Sequence, residues 1–342
     1  MKISIYNYQL KFKHTFHIAA GARDTTDAVF VKLEQDGVTG YGEVALPPYL
    51  IHTTESVTQF LNDINLPENY HTDDFFPLLK KWNAADGICY PALAALDIAL
   101  HDLQGKLTGK TIREIYQVKN TVLPLCAFTI GMSAADEMEV KLKEANQFQF
   151  FKLKLGGDAD EIILKTFRQL SPFPFCVDAN RGWKDVENAA EFCFTLKQNG
   201  CEFIEQPFEK DKLNETDLLR KCVQLPIILD ESIQTFSDVE KVKNYCDGIN
   251  IKLAKCGGLY PAFNMIEKAR SNNLKIFIGC MSEGSCGCGA AAQLAPLADW
   301  VDLDGPLLIS NDPFSALSYS DGRIQLNNLP GTGMVVKNNL IG

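Results

Sequence analysis

The strongest constraint on the fold of this chain is a series of short apolar runs that begins near residue 121 and recurs about every 25 residues. Amphipathic stretches of helical character separate the runs. The eight runs read LPLCAFTIG, FFKLKLGG, PFCVDAN, CEFIEQP, PIILDES, GINIKLAK, KIFIGCM and WVDLDGP. Runs that are apolar at almost every position are typical of strands buried on both faces of a parallel sheet. Eight successive βα units therefore predict a (β/α)8 barrel, an α/β fold of the TIM-barrel type.

A doubly wound parallel sheet is the alternative arrangement for alternating strands and helices. That fold predicts a glycine-rich phosphate-binding fingerprint directly after its first strand. The sequence has no such fingerprint at that place, so the barrel is favoured.

The N-terminal third has a different pattern. Residues 1 to about 45 alternate as antiparallel strands do, with hairpin turn chemistry at Gln35-Asp36-Gly37. Residues 53–116 read mainly as helices, the clearest being PALAALDIALHDLQGKL with Pro91 near its start. We predict an α+β capping domain over residues 1–118, completed by the C-terminal segment 314–342, and a catalytic barrel domain over residues 119–313.

Composition excludes some functions. A net charge of -10 argues against binding to nucleic acid or to an anionic membrane, because both need clustered basic residues. The N-terminus lacks the apolar core of a signal peptide, and no apolar stretch reaches membrane-spanning length. The eleven cysteines are scattered through apparent core segments, which indicates reduced thiols and a cytoplasmic location. A homo-oligomer remains possible.

Acidic side chains follow three successive predicted strands. Asp178, Glu205 and Asp230 are 27 and 25 residues apart, and in a barrel the carboxyl ends of the strands meet at one mouth. Three converging carboxylates repel each other unless a cation bridges them. Because no histidine or cysteine accompanies them, a hard cation such as Mg2+ fits this ligand set best. Separate helix caps at three βα turns are the structural alternative.

Lysines occur on strands that flank this trio. Lys152 and Lys154 lie two apart in the second strand and therefore face the same side, while Lys252 ends the sixth strand. Lys154 and Lys252 would stand on opposite sides of the barrel mouth, where each could remove or return a proton on one face of a carbon atom. We expect burial and nearby positive charge, including that of Lys152, to lower the pKa of such a base.

Lys152 is also a candidate substrate-binding residue, and the seventh and eighth strands supply four more. Met281 and Glu283 follow the seventh strand, and Asp302 and Asp304 lie on one face of the eighth. Two carboxylates beyond those needed for a metal would suit a cationic group such as an α-ammonium. Alternatively, one of the two pairs with a neighbouring base.

The motifs KLK, DAN, EQP, DES and IKLAKCGG, in this order, resemble those of the muconate-lactonizing subgroup of the enolase superfamily. The resemblance extends over nearly the whole chain, because the N-terminal segment looks like the capping domain of that family. It implies that Asp178, Glu205 and Asp230 bind one Mg2+ per subunit, which stabilises an enediolate. It also implies that Lys154 and Lys252 are the acid/base catalysts. Lys255 belongs to the motif but does not match the position of the catalytic lysine.

Substrate specificity is a further implication of the resemblance. The Asp302-x-Asp304 pattern looks like the signature with which dipeptide epimerases hold the N-terminal ammonium of a dipeptide. Residues 15–26, TFHIAAGARDTT, resemble the specificity loop of L-Ala-D/L-Glu epimerases, in which Arg23 would pair with a glutamate carboxylate. The sequence is therefore expected to encode an isomerase that inverts the α-carbon of the C-terminal residue of L-Ala-D/L-Glu, as in the recycling of murein peptides.

Other functions remain open. Within the family they are epimerases for hydrophobic or cationic dipeptides, N-acylamino acid racemases, o-succinylbenzoate synthases and cycloisomerases. A non-catalytic binding protein on the same barrel is the alternative from another class, although it would not need both lysines and all three metal ligands.

Overall fold

The computed structural model describes residues 1–18, 21–85, 87–120, 122–131 and 135–337. Its N-terminal part is an antiparallel sheet in the order β1-β2-β3, followed by four helices. The strands are β1 (Lys2–Ile18), β2 (Gly21–Gln35) and β3 (Val38–Leu46), and the helices are α1 (Thr54–Asp63), α2 (Phe75–Asn83), α3 (Tyr90–Thr108) and α4 (Ile112–Ile115). The predicted turn joins β2 to β3, with positive φ at Asp36 and Gly37.

Helix α3 lies unusually close to this sheet, because the sheet presents glycines to it. A Cβ atom added to Gly42 would lie 1.9 Å from the carbonyl oxygen of Ala95, so only glycine permits this approach. Although α3 is buried along most of its length, it carries the polar residues Asp97, His101 and Asp102, all without exposed surface. These polar groups need partners inside the protein.

In the described part of the chain, eight parallel strands follow in sequence order, as predicted. They are β4 (Phe128–Ile130), β5 (Phe151–Lys154), β6 (Phe175–Asp178), β7 (Cys201–Glu205), β8 (Ile227–Leu229), β9 (Gly248–Ile251), β10 (Lys275–Gly279) and β11 (Trp300–Asp302). A parallel bridge between Cys126 and Val301 joins the first strand to the last and closes the barrel. The helices around it are α5 (Ala135–Glu144), α6 (Asp160–Leu170), α7 (Val186–Gln198), α8 (Leu213–Cys222), α9 (Phe236–Val242), α10 (Leu253–Cys256), α11 (Leu259–Ser271), α12 (Ser285–Ala292) and α13 (Gly305–Leu308).

The barrel interior changes from apolar to charged along its axis. At its lower end Phe150, Phe203, Ile228 and Phe277 pack together in a cluster separate from the outer core. Two residues further along each of these strands the chain carries Lys152, Glu205, Asp230 and Gly279. Because side chains alternate along a strand, the residues above the apolar layer also face inward. The fold thus concentrates charged groups at the carboxyl ends of the strands.

The C-terminal segment contacts both parts of the molecule. Strand β12 (Phe314–Ser315) pairs with β15 (Val335–Val336), and β13 (Leu317–Ser320) forms a hairpin with β14 (Arg323–Leu326). The Phe314 ring lies 5.4 Å from that of Phe30 in the N-terminal sheet, while Arg323 bridges to Leu125 at the start of the barrel. The domain boundaries at 118/119 and 313/314 therefore remain a prediction. Among the described helices, none has both the length and the apolarity needed to cross a membrane.

Candidate active site

A cavity of about 490 Å³ opens at the carboxyl ends of the barrel strands, beneath the capping domain. Its walls include Lys154 and Lys252 from the barrel and Arg23 and Tyr49 from the capping domain. A larger cavity of about 960 Å³ lies between α2, α9 and α11, on the outside of the barrel, and the predicted site residues do not line it. The candidate active site is therefore the smaller cavity.

The predicted metal-binding carboxylates lie side by side on neighbouring strands. Asp178 is the register partner of Glu205, and both are fully buried. Asp230 is 4% exposed. Burial raises the pKa of Asp178, but the ammonium groups of Lys154 and Lys152 lower it by more, so that the net pKa is about 2. Burial and the negative charges of Asp178 and Asp230 raise the pKa of Glu205 to about 7. At Asp178 the lysines therefore outweigh burial, whereas at Glu205 burial and the two neighbouring carboxylates outweigh Lys152.

The donor set of this trio fits a hard divalent cation. In the described parts of the chain, no three acidic, histidine or cysteine side chains are arranged so that they could hold a metal ion as they stand. Each carboxylate lies against a lysine, as in the 2.6 Å contact of Asp178 Oδ2 with Lys154 Nζ. Glu205 Oε2 lies 2.8 Å from Lys152 Nζ but is buried and outside hydrogen-bond geometry. Three buried oxygen ligands, one of them without a hydrogen bond, suit Mg2+ after side-chain rotation.

Lys154 and Lys252 contact different members of the trio. Lys252 Nζ lies 2.8 Å from Asp230 Oδ2. Asp178, the partner of Lys154, ends β6, whereas Asp230 follows β8, so the two contacts are two strands apart in the barrel. Burial lowers the pKa of Lys252, but the Asp230 carboxylate raises it more, so the net direction is upward. The lowered pKa expected from the sequence is therefore not produced by the protein's own groups. It requires further positive charge beside Asp230.

Lys152 lies deeper than the sequence suggested. The residue is 1% exposed, and its ammonium nitrogen lies 2.8 to 3.2 Å from carboxylate oxygens of Asp178, Glu205 and Asp302. Although burial lowers its pKa, these charges raise the pKa well above its usual value. The Lys152 ammonium therefore compensates the charges of the three carboxylates and does not act mainly on the pKa of Lys154. Its role in substrate binding stays a prediction.

Asp302 and Asp304 both line the cavity. Asp302 Oδ2 accepts from Lys152 Nζ at 2.9 Å, so one of the pair does contact a neighbouring base. Asp304 Oδ2 accepts from the backbone N–H of Thr129 at 2.7 Å. Burial and the charge of Asp302 raise the pKa of Asp304 to about 7. An incoming cationic group would relieve this repulsion.

Arg23 reaches the cavity from the capping domain. Its Nη2 donates to Ser282 Oγ at 2.9 Å, and its guanidinium group lies 5.4 Å from the Phe12 ring centre and 5.8 Å from that of Tyr49. These contacts hold a planar cation at the mouth of the barrel. Part of the predicted specificity segment 15–26, residues 19 and 20, lies outside the described residues.

Met281 and Glu283, predicted together after the seventh strand, lie in different places. Met281 lines the cavity beside Ser282. Glu283 is buried, does not belong to the cavity wall, and accepts from the backbone N–H of Met281 at 2.7 Å. The assignment of Glu283 as a substrate-binding residue is therefore not supported, because the chain turns back at this residue before α12.

Sequence reasoning missed several residues that hold the site together. Asn250 Nδ2 donates to Glu205 Oε1 at 2.7 Å, and Lys255 Nζ lies 2.5 Å from Asp230 Oδ1. Gln206 Oε1 accepts from the backbone N–H of Asp230, although Gln206 itself adopts a left-handed conformation with φ of 39°. Asn250 could have been found, because it lies two residues before Lys252 on the same face of its strand.

Two family descriptions match the chain. Residues 134–340 match "Enolase C-terminal domain-like" and residues 2–115 match "Mandelate racemase / muconate lactonizing enzyme, N-terminal domain". Together they cover the N-terminal sheet with its helices and the barrel from α5 onward, whereas β4 lies between the two matches.

Several similar proteins are named as epimerases. An L-Ala-D/L-Glu epimerase of Bacteroides thetaiotaomicron is 41% identical and covers 98% of this chain and 88% of the relative. An L-Ala-D/L-amino acid epimerase of a Maribacter species is 39% identical over 98% of this chain and 99% of the relative. The solved structure of a dipeptide epimerase from Methylococcus capsulatus, complexed with Mg and the dipeptide L-Arg-D-Lys, has a TM-score of 0.89 at 25% identity and covers 98% of this chain and 99% of that one.

Proposed function

The chain belongs to the enolase superfamily, in its mandelate racemase and muconate lactonizing enzyme branch, and from this premise we propose that it is a Mg2+-dependent dipeptide epimerase. The reaction is a 1,1-proton transfer at the α-carbon of the C-terminal residue. The observation that carries the proposal is the pairing of Lys154 with Asp178 and of Lys252 with Asp230 in one cavity. Relatives with dipeptide epimerase activity in their names support it.

Asp178, Glu205 and Asp230 would hold the cation. When bound, it supplies positive charge that makes the proton α to a carboxylate more acidic. The protein's own part is the transfer of the proton. Lys154 Nζ and Lys252 Nζ would stand on opposite faces of the α-carbon, so that one removes the proton and the other returns one to the opposite face. The buried carboxylates keep both ammonium groups pointing into the cavity and away from bulk water.

Two features favour a dipeptide with a free N-terminus. Asp302 and Asp304 are buried on one wall, where burial and then the negative charge of Asp302 raise the pKa of Asp304 to about 7. An α-ammonium group would offset that charge and hydrogen-bond to both carboxylates. Substrates of o-succinylbenzoate synthase and of muconate cycloisomerase lack an ammonium group, and N-acylamino acids have lost theirs. For those reactions the acidic wall has no purpose.

Arg23 favours glutamate as the C-terminal residue. Its guanidinium group is oriented by Ser282 and by two aromatic rings, and a fork of this kind suits a carboxylate. We therefore propose L-Ala-L-Glu and L-Ala-D-Glu as the substrates. Solved dipeptide epimerases complexed with L-Leu-L-Tyr or L-Arg-D-Lys have the same fold, so specificity depends on cavity residues such as Arg23.

The location we propose is the cytoplasm, with peptides released from the cell wall as the source of substrate. All eleven cysteines are free thiols, and nine are buried. Thiols in such numbers persist in a reducing compartment.

Proton NMR in D2O tests the proposal directly. L-Ala-L-Glu, L-Ala-L-Leu and L-Ala-L-Lys are incubated with the enzyme and either Mg2+ or EDTA. We expect the α-proton of the C-terminal residue to exchange with solvent deuterium when Mg2+ is present but not in EDTA. Exchange should be fastest in L-Ala-L-Glu. If every dipeptide stays unlabelled in the presence of Mg2+, the epimerase proposal is wrong. If exchange favours leucine or lysine, only the Arg23 assignment fails.

Asp304→Asn separates the dipeptide reaction from the cycloisomerase reaction. Removing a charged partner of the ammonium group is expected to lower kcat/KM for dipeptides about 10- to 100-fold. A cycloisomerase would tolerate the change, so unchanged kcat/KM would favour that alternative.

A further inference from the structure

One buried carboxylate of the capping domain reaches into the barrel. Asp97, in the middle of α3, has no exposed surface. Its Oδ1 accepts from the backbone N–H of Leu259 at 2.5 Å and its Oδ2 from that of Tyr260 at 3.4 Å. Leu259 and Tyr260 are the first residues of α11. A carboxylate at the start of a 13-residue helix satisfies N–H groups that lack a partner within that helix and complements its dipole.

The two glycines before α11 are shaped to this contact. Gly257 and Gly258 have φ values of 99° and 117°, which side chains disfavour. A Cβ atom on Gly258 would lie 2.3 Å from Asp97 Oδ1 and 2.4 Å from Asp97 Cγ. The glycine pair thus lets the backbone of the barrel approach the capping-domain carboxylate. This contact gives the Gly-Gly pair a function that its sequence pattern alone did not reveal.

A single helical turn connects this contact to Lys252. Helix α10 has four residues, and Lys252 is the residue immediately before it. The Lys252 carbonyl oxygen accepts from the N–H groups of Lys255 at 3.0 Å and of Cys256 at 3.2 Å, and Leu253 O accepts from that of Gly258 at 3.1 Å. Ala254 of α10 belongs to the buried apolar cluster of the capping domain. Displacement of the Gly-Gly turn therefore moves the backbone that carries Lys252.

Lys154, the other base, has a separate support. The N–H groups of Gly156 and Gly157, which follow it, donate to the Asp160 carboxylate at 2.9 to 3.0 Å. Trp183 Nε1 donates to Asp160 Oδ2 at 3.1 Å. All of these residues belong to the barrel. The structure thus anchors one base to the capping domain and the other within the barrel.

The side chain of His101 contacts Asp97, and that of Tyr116 contacts His101. His101 Nδ1 lies 2.8 Å from the backbone carbonyl oxygen of Asp97 and 3.1 Å from Asp97 Oδ1, and His101 Nε2 lies 2.8 Å from the hydroxyl oxygen of Tyr116. The His101 and Tyr116 rings stack with centres 5.6 Å apart. This arrangement places the His101 ring directly beside the Asp97 carboxylate.

We propose that Asp97 is a positioning residue for Lys252 and not for Lys154. The inference rests on the proposed function, in which the two lysines act on opposite faces of a dipeptide α-carbon. Loss of the Asp97 contact then impairs proton transfer on one face. A residue that merely stabilised the fold would affect both faces alike.

The test compares α-proton exchange of L-Ala-L-Glu and L-Ala-D-Glu in D2O with Mg2+. Lys252→Ala first identifies the epimer whose proton faces Lys252, because that epimer alone stops exchanging. Asp97→Asn keeps the size of the side chain and removes its charge and one acceptor. We expect it to slow exchange of the same epimer by roughly 10- to 100-fold, the range for a small misplacement of a catalytic group. Exchange of the other epimer stays near that of the unsubstituted enzyme.

Asp102→Asn is the matched control. Asp102 lies in the same helix and is equally buried, but its carboxylate accepts from Lys106, from the backbone of Tyr41 and from Thr332, away from both lysines. It is expected to leave the ratio of the two exchange rates unchanged. Tyr116→Phe removes only the hydroxyl group behind His101 and provides a milder second variant if Asp97→Asn does not fold. It should slow the same epimer to a smaller degree.

The outcomes separate the two proposals. Selective slowing of the Lys252 epimer supports the inference. Equal slowing of both epimers, or slowing of neither, in Asp97→Asn or in its milder substitute overturns it while the epimerase assignment stands. If the unsubstituted enzyme exchanges neither epimer, the proposed function fails and the inference fails with it.

Discussion

The stability of this protein should depend on pH through Glu43, a buried carboxyl group of the capping domain. Glu43 is 1% exposed, and its two oxygens accept from the backbone N–H groups of Gly284 and Gly287 at 2.7 and 2.8 Å, at the start of α12. Burial, and then the charges of Asp312 and Glu283, raise its pKa from 4.5 to about 8. We predict that Glu43→Gln removes a pH-dependent cost of folding.

Proton linkage determines the sign and the size of this effect of Glu43 on the free energy of unfolding. Because the pKa is higher in the folded than in the unfolded protein, the stabilising contribution of Glu43 is fully present below pH 4.5 and is lost as the pH rises through 8. A pKa of 4.5 in the unfolded chain and about 8 in the folded protein implies a total loss of about 5 kcal/mol. Roughly 3 kcal/mol of that loss falls between pH 6 and pH 9.

The assay is urea unfolding of both proteins in EDTA at pH 6, 7, 8 and 9. Glutamine supplies only one acceptor oxygen for two N–H groups, so Glu43→Gln has a constant penalty of about 1 to 3 kcal/mol. Against that constant, the variant should gain roughly 3 kcal/mol relative to the unsubstituted protein from pH 6 to pH 9. Other buried carboxyl groups, such as Glu205 and Asp304, titrate in both proteins and cancel in the difference. A difference in unfolding free energy that stays constant across this range would refute the reasoning.

Three further predictions concern single contacts. Lys152→Met leaves buried carboxylates without their ammonium partner, so urea unfolding in EDTA should show a loss of about 3 to 5 kcal/mol, and unchanged stability would contradict the contacts described. Arg23→Met should lower kcat/KM for L-Ala-L-Glu about 10- to 100-fold in a polarimetric assay but change that for L-Ala-L-Leu little, whereas equal losses would show that Arg23 does not read the side chain. Gly258→Ala combines a positive φ with a clash at Asp97 and should lower the unfolding free energy by about 3 kcal/mol or more. The control Gly37→Ala also has a positive φ but no neighbouring atom within 4 Å of the added Cβ atom, so it should lower that free energy by about 1 kcal/mol. Similar values for the two variants would show that the close approach is unimportant.

The barrel and the register of its polar residues could be predicted because strand periodicity is a local property. Lys152 and Lys154 face the same side, as their spacing requires, and the eight predicted strands are all present among the described residues. Periodicity gives the face of a residue but not its depth in the barrel. Lys152 therefore proved to be buried under three carboxylates, one layer below Lys154.

Tertiary contacts between distant segments were beyond the reach of sequence patterns. Glu283 follows its strand as Met281 does, but the path of the chain into α12 turns its carboxylate back to the Met281 N–H. Asp97 offered a signal, since it is a charged residue in the apolar stretch PALAALDIALHDL. That signal indicated a buried partner but could not identify it, because Leu259 lies more than 160 residues away.

A crystal structure with Mg2+ and L-Ala-L-Glu bound would test the central claim most directly. We expect the ion at about 2.1 Å from carboxylate oxygens of Asp178, Glu205 and Asp230. The ammonium nitrogens of Lys154 and Lys252 should then lie on opposite faces of the glutamate α-carbon. Both nitrogens on one face, or either one turned into bulk solvent, would contradict the two-base account.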